Sequence, residues 1–487
     1  SFAAALESIN REELPGHVDY LADDALEGRA AGSGGGRDAG DYVAGKLAVM
    51  GLRGAGSEGG FFQPFGDDFR NVLALVEGSD PELRGERVVV GAHYDHIGYG
   101  TKKTSRGTVG EIHNGADDNA SGTAAVLELA EALATLEHPP RRSILLAFWD
   151  AEEKGMLGSK HWAGQPRSTE ERVVALVNVD MVGRLREERL MVYGSRSGCG
   201  WRRLLSQCNE DAALKLDFVW GIKRNGDHWP FFERDVPSIM LHTGMHGEYH
   251  RPGDDADTVN APGMHRVARF LFTLVYDLAD ADAAPGFRKS ASQEKESTRR
   301  ALAEQGADPP ERLGVHWEKQ QPPGPGIFIA RVEGGSPAEA AGLRSGDRIG
   351  ECAGRAIHSG DELRWAVASA TNPVSIVIRR SDDEPRLELT GHLSGSPMRL
   401  GLTWRVDDAE PGTVILSRVV AGSPAAAAGL EPGDHVYQIG GREFVDETEF
   451  AELAKGLPGP LKVLVERDGR LRVVEIALDP GHLRRAA

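Results

Sequence analysis

Four runs in the first half of the chain are largely apolar on consecutive positions, not on alternate ones: "VVVGA" (88–92), "RSILLAF" (142–148), "VVALVNV" (173–179) and "VPSIMLHTG" (236–244). A strand with one face in water alternates apolar and polar residues; a strand apolar on both sides must be covered on both. Helix-patterned segments separate the runs. "ASGTAAVLELAEALATL" (120–136) stops before Pro139 and Pro140, a shorter helix is expected near "LGSKHWAG" (157–164), and "HRVARFLFTLVYDLA" (265–279) closes the region. The order predicts an α/β fold: a mixed, mostly parallel sheet with helices on both faces, followed by smaller β-rich units. Earlier, about 18–50 reads as helix, glycine-rich loop, helix. The loop "AAGSGGGRD" lacks the phosphate-loop pattern and follows no strand, so a nucleotide site is rejected there.

The residues that follow these strands are not apolar. His93 and Asp95 follow the first, Glu152 and Glu153 the second, and Asp180 the third. In open α/β sheets ligands gather outside the carboxyl ends of the strands. One rim therefore collects an imidazole and four carboxylates, joined by "GADDNASG" (115–122) before a helix and "GEYHRPGDDADT" (247–258) after the fourth strand. Carboxylates crowded this way repel one another unless cations intervene. Histidine with aspartate and glutamate, without thiolate, suits zinc. Two histidines and three carboxylates, one bridging, suffice for two ions.

The net charge of −18 argues against a nucleic-acid partner, and no apolar run is long enough to span a membrane. Three cysteines, Cys199, Cys208 and Cys352, include no CxxC pair; a Cys199–Cys208 disulfide and free thiols both stay open. No signal peptide is evident, and the sequence begins at Ser1, which fits a processed or trimmed chain.

Composition turns polar near 283. Beyond it "GIFIARVEGGSPAEAAGLRSGDRIGECAGRAI" (326–357) repeats as "GTVILSRVVAGSPAAAAGLEPGDHVYQIGGREF" (412–444), aligning Ser336 with Ser423, Gly342 with Gly429 and Asp347 with Asp434. The two units resemble tandem bacterial PDZ domains. The resemblance implies peptide-carboxylate loops at Leu313-Gly314-Val315 and Leu400-Gly401-Leu402. The expected organisation is a catalytic domain over 1–282, a linker over 283–310, and PDZ domains over 311–393 and 397–482.

In the first region, "AHYDH", "GADDNASG", "WDAEEKGMLGS", "NVDMVG" and "YHRPGDDADT" occur in the order of the co-catalytic di-zinc aminopeptidases, the M-twenty-eight peptidases. The resemblance spans roughly residues 15 to 280 and implies two zinc ions per chain. It assigns His93, Asp118, Glu153, Asp180 and His250 as ligands, with Asp118 bridging, and Glu152 as general base. It also implies a cis peptide at Asp118–Asn119. Asp95, two residues from His93, is expected to accept the other ring N–H of that histidine, and Tyr249 to donate to an oxyanion. For Glu152 and Glu153 both to face the site, the backbone has to turn at 151–154. Asp227 and His228 read as supporting groups, and His96, His113, His242 and His246 as loop or outer residues.

The activity so implied is removal of N-terminal residues from peptides. The alternatives are a carboxypeptidase, whose substrate carboxylate Arg184, Arg224 or Arg251 would grip, a one-zinc glutaminyl cyclase-like acyltransferase, and a non-catalytic PDZ scaffold. No protease-associated insertion precedes "AHYDH", which favours the aminopeptidase. The expected partners are peptide or protein N-termini, with peptide C-termini at the PDZ loops. By resemblance, the expected location is secreted, periplasmic or envelope-associated.

Overall fold

The computed structural model describes residues 1–166, 171–304, 306, 311–381 and 383–478. Two compact units emerge: Ser1–Lys295 with Asp468–Arg470, and Glu296–Arg467 with Leu471–Ala487. Residues 283–295, expected as linker, belong to the first unit. There Cys199 donates its N–H to the carbonyl of Gly286, and Glu294 pairs with Arg196 and Arg288. Residues 479–482 of the second PDZ expectation lie outside the described residues.

The first unit is built on nine strands: β1 (Arg53–Gly54), β2 (Phe62–Phe65), β3 (Phe69–Val76), β4 (Glu86–His93), β5 (Ser143–Trp149), β6 (Arg172–Val179), β7 (Arg189–Tyr193), β8 (Lys215–Val219) and β9 (Ser238–His242). Their order is β1-β3-β5-β4-β6-β9-β7-β8, with β2 also on β3. The pairs β5–β4, β4–β6 and β6–β9 are parallel, and these are the four consecutively apolar runs. β3 joins β5, and β7 joins β9, antiparallel.

Successive residues of one strand serve opposite layers, which is why alternation is absent. Val88, Val90 and Ala92 pack under helices α1 (Phe2–Ser8), α2 (Glu13–Leu21), α3 (Gly34–Val49), α4 (Gly122–Ala134) and α8 (Ala261–Asp280). Val89, Leu145, Ala147 and Trp149 face α5 (Leu157–Gly164) and α7 (Trp229–Phe232), where Trp162 and Phe231 complete a second core. α6 (Trp201–Cys208) adds Trp201 and Leu205 to the first layer.

The glycine-rich loop has a packing role. Ser33 caps α3, accepting from the N–H of Gly36, and a Cβ at Gly35 would stand 1.7 Å from the carbonyl oxygen of Leu26. Only glycine permits that approach. Among the described residues no helix is long and apolar enough to cross a membrane. No disulfide joins Cys199, Cys208 or Cys352.

The second unit holds two five-stranded sheets and a two-stranded one. Their cores are separate, around Leu313, Ile349 and Ile376 in one and Leu416, Val436 and Phe450 in the other. The repeated motif explains itself locally. Ser336 and Ser423 cap short helices, accepting from the N–H groups of Glu339 and Ala426. Asp347 and Asp434 close the following turns by accepting from the N–H groups of Arg344 and Glu431.

Candidate metal centre

Each of the four parallel strands delivers a polar group to the same rim. His93 ends β4, Asp180 follows β6, and Glu152 and Glu153 follow β5 after a turn. That turn is left-handed at Ala151 (φ 58°), with Gly155 and Met156 also at positive φ, so the two adjacent glutamates face one cavity. His250 follows β9 and is itself left-handed (φ 54°). Asp118 sits on the irregular turn Ala116–Ser121 before α4, and the Asp118–Asn119 peptide is cis.

The side chains form two groups that share Asp118. In one, the ligand atoms of His93, Asp118 and Asp180 lie within 4.8 Å of one another; in the other, so do those of His96, Asp118, Glu153 and His250. His93 Nε2 is 3.3 Å from Asp118 Oδ1 and 3.7 Å from Asp180 Oδ1. His250 Nε2 is 3.1 Å from Asp118 Oδ2 and 3.3 Å from Glu153 Oε1. Asp118 thus turns one oxygen to each group. Glu152 belongs to neither group and lines the same cavity.

The electrostatics ask for cations. Burial disfavours charge on Asp118, Glu153, His93 and His250, yet the pairing wins. Hydrogen bonds to His250 and His93 hold Asp118 well below the ordinary carboxylate range. For Glu153, burial and Asp118 push upward, and His250 and His96 bring it down to about 2. Burial lowers His250, but Asp118 and Glu153 raise it to about 10, and Asp118 and Asp180 likewise hold His93 high. Protons on the imidazoles do here what a divalent ion would do better, since imidazole and carboxylate are both its ligands. The donor set fits zinc in both groups.

Three features support this rim. Arg29, fully buried, donates to the carbonyls of Tyr94 (2.9 Å) and Gly115 (3.0 Å), and also to those of Leu21 and Asn114. It fixes the loop between His93 and Asp95 and the entrance to the Asp118 turn. Asp254 accepts from the N–H groups of Asp117 and Asp118 and from Arg184. Asp95 does something other than expected. The ring Nδ1 of His93 meets the main-chain carbonyl of Asp95 at 3.1 Å, with the carboxylate 3.7 Å away. The carboxylate accepts from the N–H groups of Glu152 (2.9 Å) and Glu153 (3.3 Å) instead. A carboxylate two residues from His93 shares its side of the strand, but the exposed N–H groups of the neighbouring turn compete for it and win.

Tyr249 lines the cavity, stacked on the His250 ring at 3.9 Å, with the Arg106 guanidinium 4.6 Å from its ring centre. Burial raises its phenol, helped by Asp118. His228 is fully buried and lowered by that burial to about 4, and Asp227 accepts from the Ser159 hydroxyl. His113 bonds Ser105 and Glu111, away from the groups, and His246 lies 3.1 Å from Asp117. His242 lines the cavity. His96 is the histidine the sequence reading left outside. Its Nδ1 is 2.9 Å from Glu153 Oε1, and it is buried. Its only signal is its place in "HYDH", three residues after His93. Lys223, Asn225 and a methionine wall of Met181, Met240 and Met245 complete the lining.

The model of Peptidase family M28 matches residues 71–275, and PDZ models match 311–390 and 415–467. The chain carries a family M-twenty-eight peptidase segment followed by two PDZ domains. Aminopeptidase YwaD of Bacillus subtilis is 27% identical over 43% of this chain and 45% of its own. Leupeptin-inactivating enzyme 1 of Streptomyces exfoliatus is 31% identical over 32% of this chain and 31% of its own. The chain thus spans less than half the length of these relatives. Among solved structures, Legionella pneumophila LapA aminopeptidase has a TM-score of 0.49 at 20% identity, covering 57% of this chain and 74% of that one.

In the PDZ segments, Gly314 (φ 81°) and Gly401 (φ 77°) hold the Leu-Gly-apolar loops in a left-handed turn. A Cβ at either would meet the capping serine: Ser336 Cβ at 2.4 Å, Ser423 Cβ at 2.1 Å. The side chains of Leu313, Val315, Leu400 and Leu402 are buried in the two cores. The second loop also lies against the first domain: a Cβ at Gly401 would stand 3.0 Å from the ring of Trp365, which packs with Ala368 and Val420.

Proposed function

We propose that the chain is a metallo-aminopeptidase that removes N-terminal residues from peptides, holding two zinc ions. His93, Asp118 and Asp180 would hold one ion, and Asp118, Glu153 and His250, with His96 beside them, the other. Such ions lower the pKa of water and polarise a peptide carbonyl.

The observation that carries the reading is the exclusion of Glu152 from both groups while it lines their cavity. Burial, opposed by His93, raises its carboxyl well above the usual range, as suits a group that both accepts and returns a proton. Glu152 takes the proton of the attacking water and delivers it to the leaving amine nitrogen. Tyr249, in contact with His250 and Arg106, keeps its phenol protonated and donates to the oxyanion of the tetrahedral intermediate. Asp95 holds the Glu152–Glu153 turn by its main chain, so the base and a ligand are positioned together.

The test is hydrolysis of a panel of amino-acid anilides by zinc-loaded chain, chelated chain and Glu152→Ala. Turnover is expected only with metal and Glu152. Full turnover after chelation, or by the variant, would overturn the reading.

The PDZ pair supports a docking role, in which substrates with exposed C-termini are held while the N-terminus is trimmed. A soluble peptide with a free apolar C-terminus should then slow hydrolysis of a long peptide and not of an anilide. Its C-terminally amidated form should slow neither. Equal effects of both forms would remove the docking role.

A further inference from the structure

One cation of the cavity is used by nothing described so far. Lys223 lines it together with Glu152, Asp180 and Tyr249. Its Nζ stands 4.3 Å from the centre of the Tyr193 ring. Among the described residues no carboxylate forms an ion pair with it, although the cavity is rich in carboxylates. Asp118, Asp180 and Glu153 are engaged with imidazoles instead.

None of the three arginines considered for a substrate carboxylate, Arg184, Arg224 and Arg251, lines this cavity. Arg184 donates to Asp254, Arg224 lies over the Trp229 ring at 5.0 Å, and Arg251 lies against Gly107. An ammonium kept half-buried on an aromatic face, without an anion, is a group poised for one that arrives.

We propose that Lys223, with Asn225 lining the same cavity, forms an anion subsite that recognises a carboxylate on the substrate. The inference rests on the peptidase reading and names its substrate class. Two sources supply that carboxylate: the side chain of an acidic residue being removed, or the free C-terminus of a residue being released. Met181, Met240 and Met245 line the same cavity and offer an adaptable apolar wall for the methylene stem. The same ammonium repels a lysine or arginine side chain, so specificity is built by exclusion as well as attraction.

The experiment uses the zinc-loaded full chain and its Lys223→Met and Lys223→Glu variants. Substrates are the anilides of glutamate, glutamine and lysine, and an N-blocked dipeptide with free or amidated C-terminus. Binding of glutamic acid α-amide against glutamine α-amide is measured in the Glu152→Ala background, with and without Lys223→Met. A charge-assisted hydrogen bond predicts at least about a tenfold preference for the carboxylate, expressed in KM, lost in Lys223→Met and reversed towards lysine in Lys223→Glu. Preference for glutamate over glutamine assigns the side-chain source; preference for the free over the amidated C-terminus assigns the other. Equal handling of both pairs, or a preference that survives Lys223→Met, overturns the subsite. If no substrate is cleaved but the binding difference persists and depends on Lys223, the peptidase reading fails and the subsite stands; if neither is seen, the subsite fails.

Discussion

The rim of the sheet and the two PDZ loops both use left-handed backbone at the residues that matter, but for opposite reasons. At the rim, positive φ at Ala151 and His250 aims charged side chains into one cavity, and the result is two groups of imidazoles and carboxylates that could each hold a cation. In the PDZ loops, positive φ at Gly314 and Gly401 removes a side chain altogether, so that a capping serine can close against the backbone. The first arrangement is an electrostatic problem that ions solve. The second is a steric one that glycine solves. Changes at the rim should therefore cost chemistry, and changes in the loops should cost stability.

The sharpest break is Glu152→Ala. It should leave the fold and metal content intact and lower kcat by on the order of 10²–10⁴-fold, read by anilide hydrolysis. The counterpart in the loops is Gly401→Val. Its side chain would overlap Ser423 at a positive φ, so the second unit should lose about 2–5 kcal/mol in calorimetry while anilide turnover is unchanged. Next, Asp95→Asn weakens the main-chain hold on Glu152 and Glu153. It should cost about 10–100-fold in kcat/KM or metal affinity, measured in parallel, with little change in thermal stability. Ser423→Ala removes a helix cap and should cost about 1 kcal/mol in the second unit alone.

The smallest effect is a control for the rim. Glu128 on α4 is as buried as Asp118, but among the described residues the one basic group paired with it, His17, is 3.8 Å away and itself lowered by burial to about 4. Burial raises the Glu128 carboxyl to about 7, with the Asn10 N–H opposing. A folded value above the unfolded one favours the fold at low pH, and that contribution is lost as pH rises through about 7. His17 acts in the other direction, its neutral form favouring the fold as pH rises above its lowered value, so the two nearly offset. Glu128→Gln removes one of them. Relative to the parent it should gain on the order of 1 kcal/mol between pH 5 and 8, read by calorimetry at both values.

Much of this was legible in the residues. Consecutive apolar runs gave away a sheet covered on both faces, because each residue of Val88–Ala92 serves one layer or the other. The residues that follow the strands named the rim, because chain direction is shared along β5, β4, β6 and β9. The repeat of Ser-Pro-Ala and Gly-Asp was readable because cap and turn chemistry are local. What stayed hidden depends on partners far away in sequence. His96 meets Glu153 only after the turn at Ala151 closes, and Arg29 binds four carbonyls from three separate segments: the end of α2, Tyr94, and Asn114 with Gly115. The Asp95 carboxylate was assigned to His93 by proximity along the strand, and lost to N–H groups 57 and 58 residues further on. Lys223 carried no motif at all.

The central claim is that Asp118 gives one oxygen to each of two metal groups while Glu152 serves neither. Zinc bound per chain, measured by atomic emission after dialysis, tests it directly. The account predicts two ions in the parent and in Glu152→Ala, one in Asp180→Ala, and fewer than one in Asp118→Ala. A parent that binds no zinc, or an Asp118→Ala chain that keeps both ions, would contradict it.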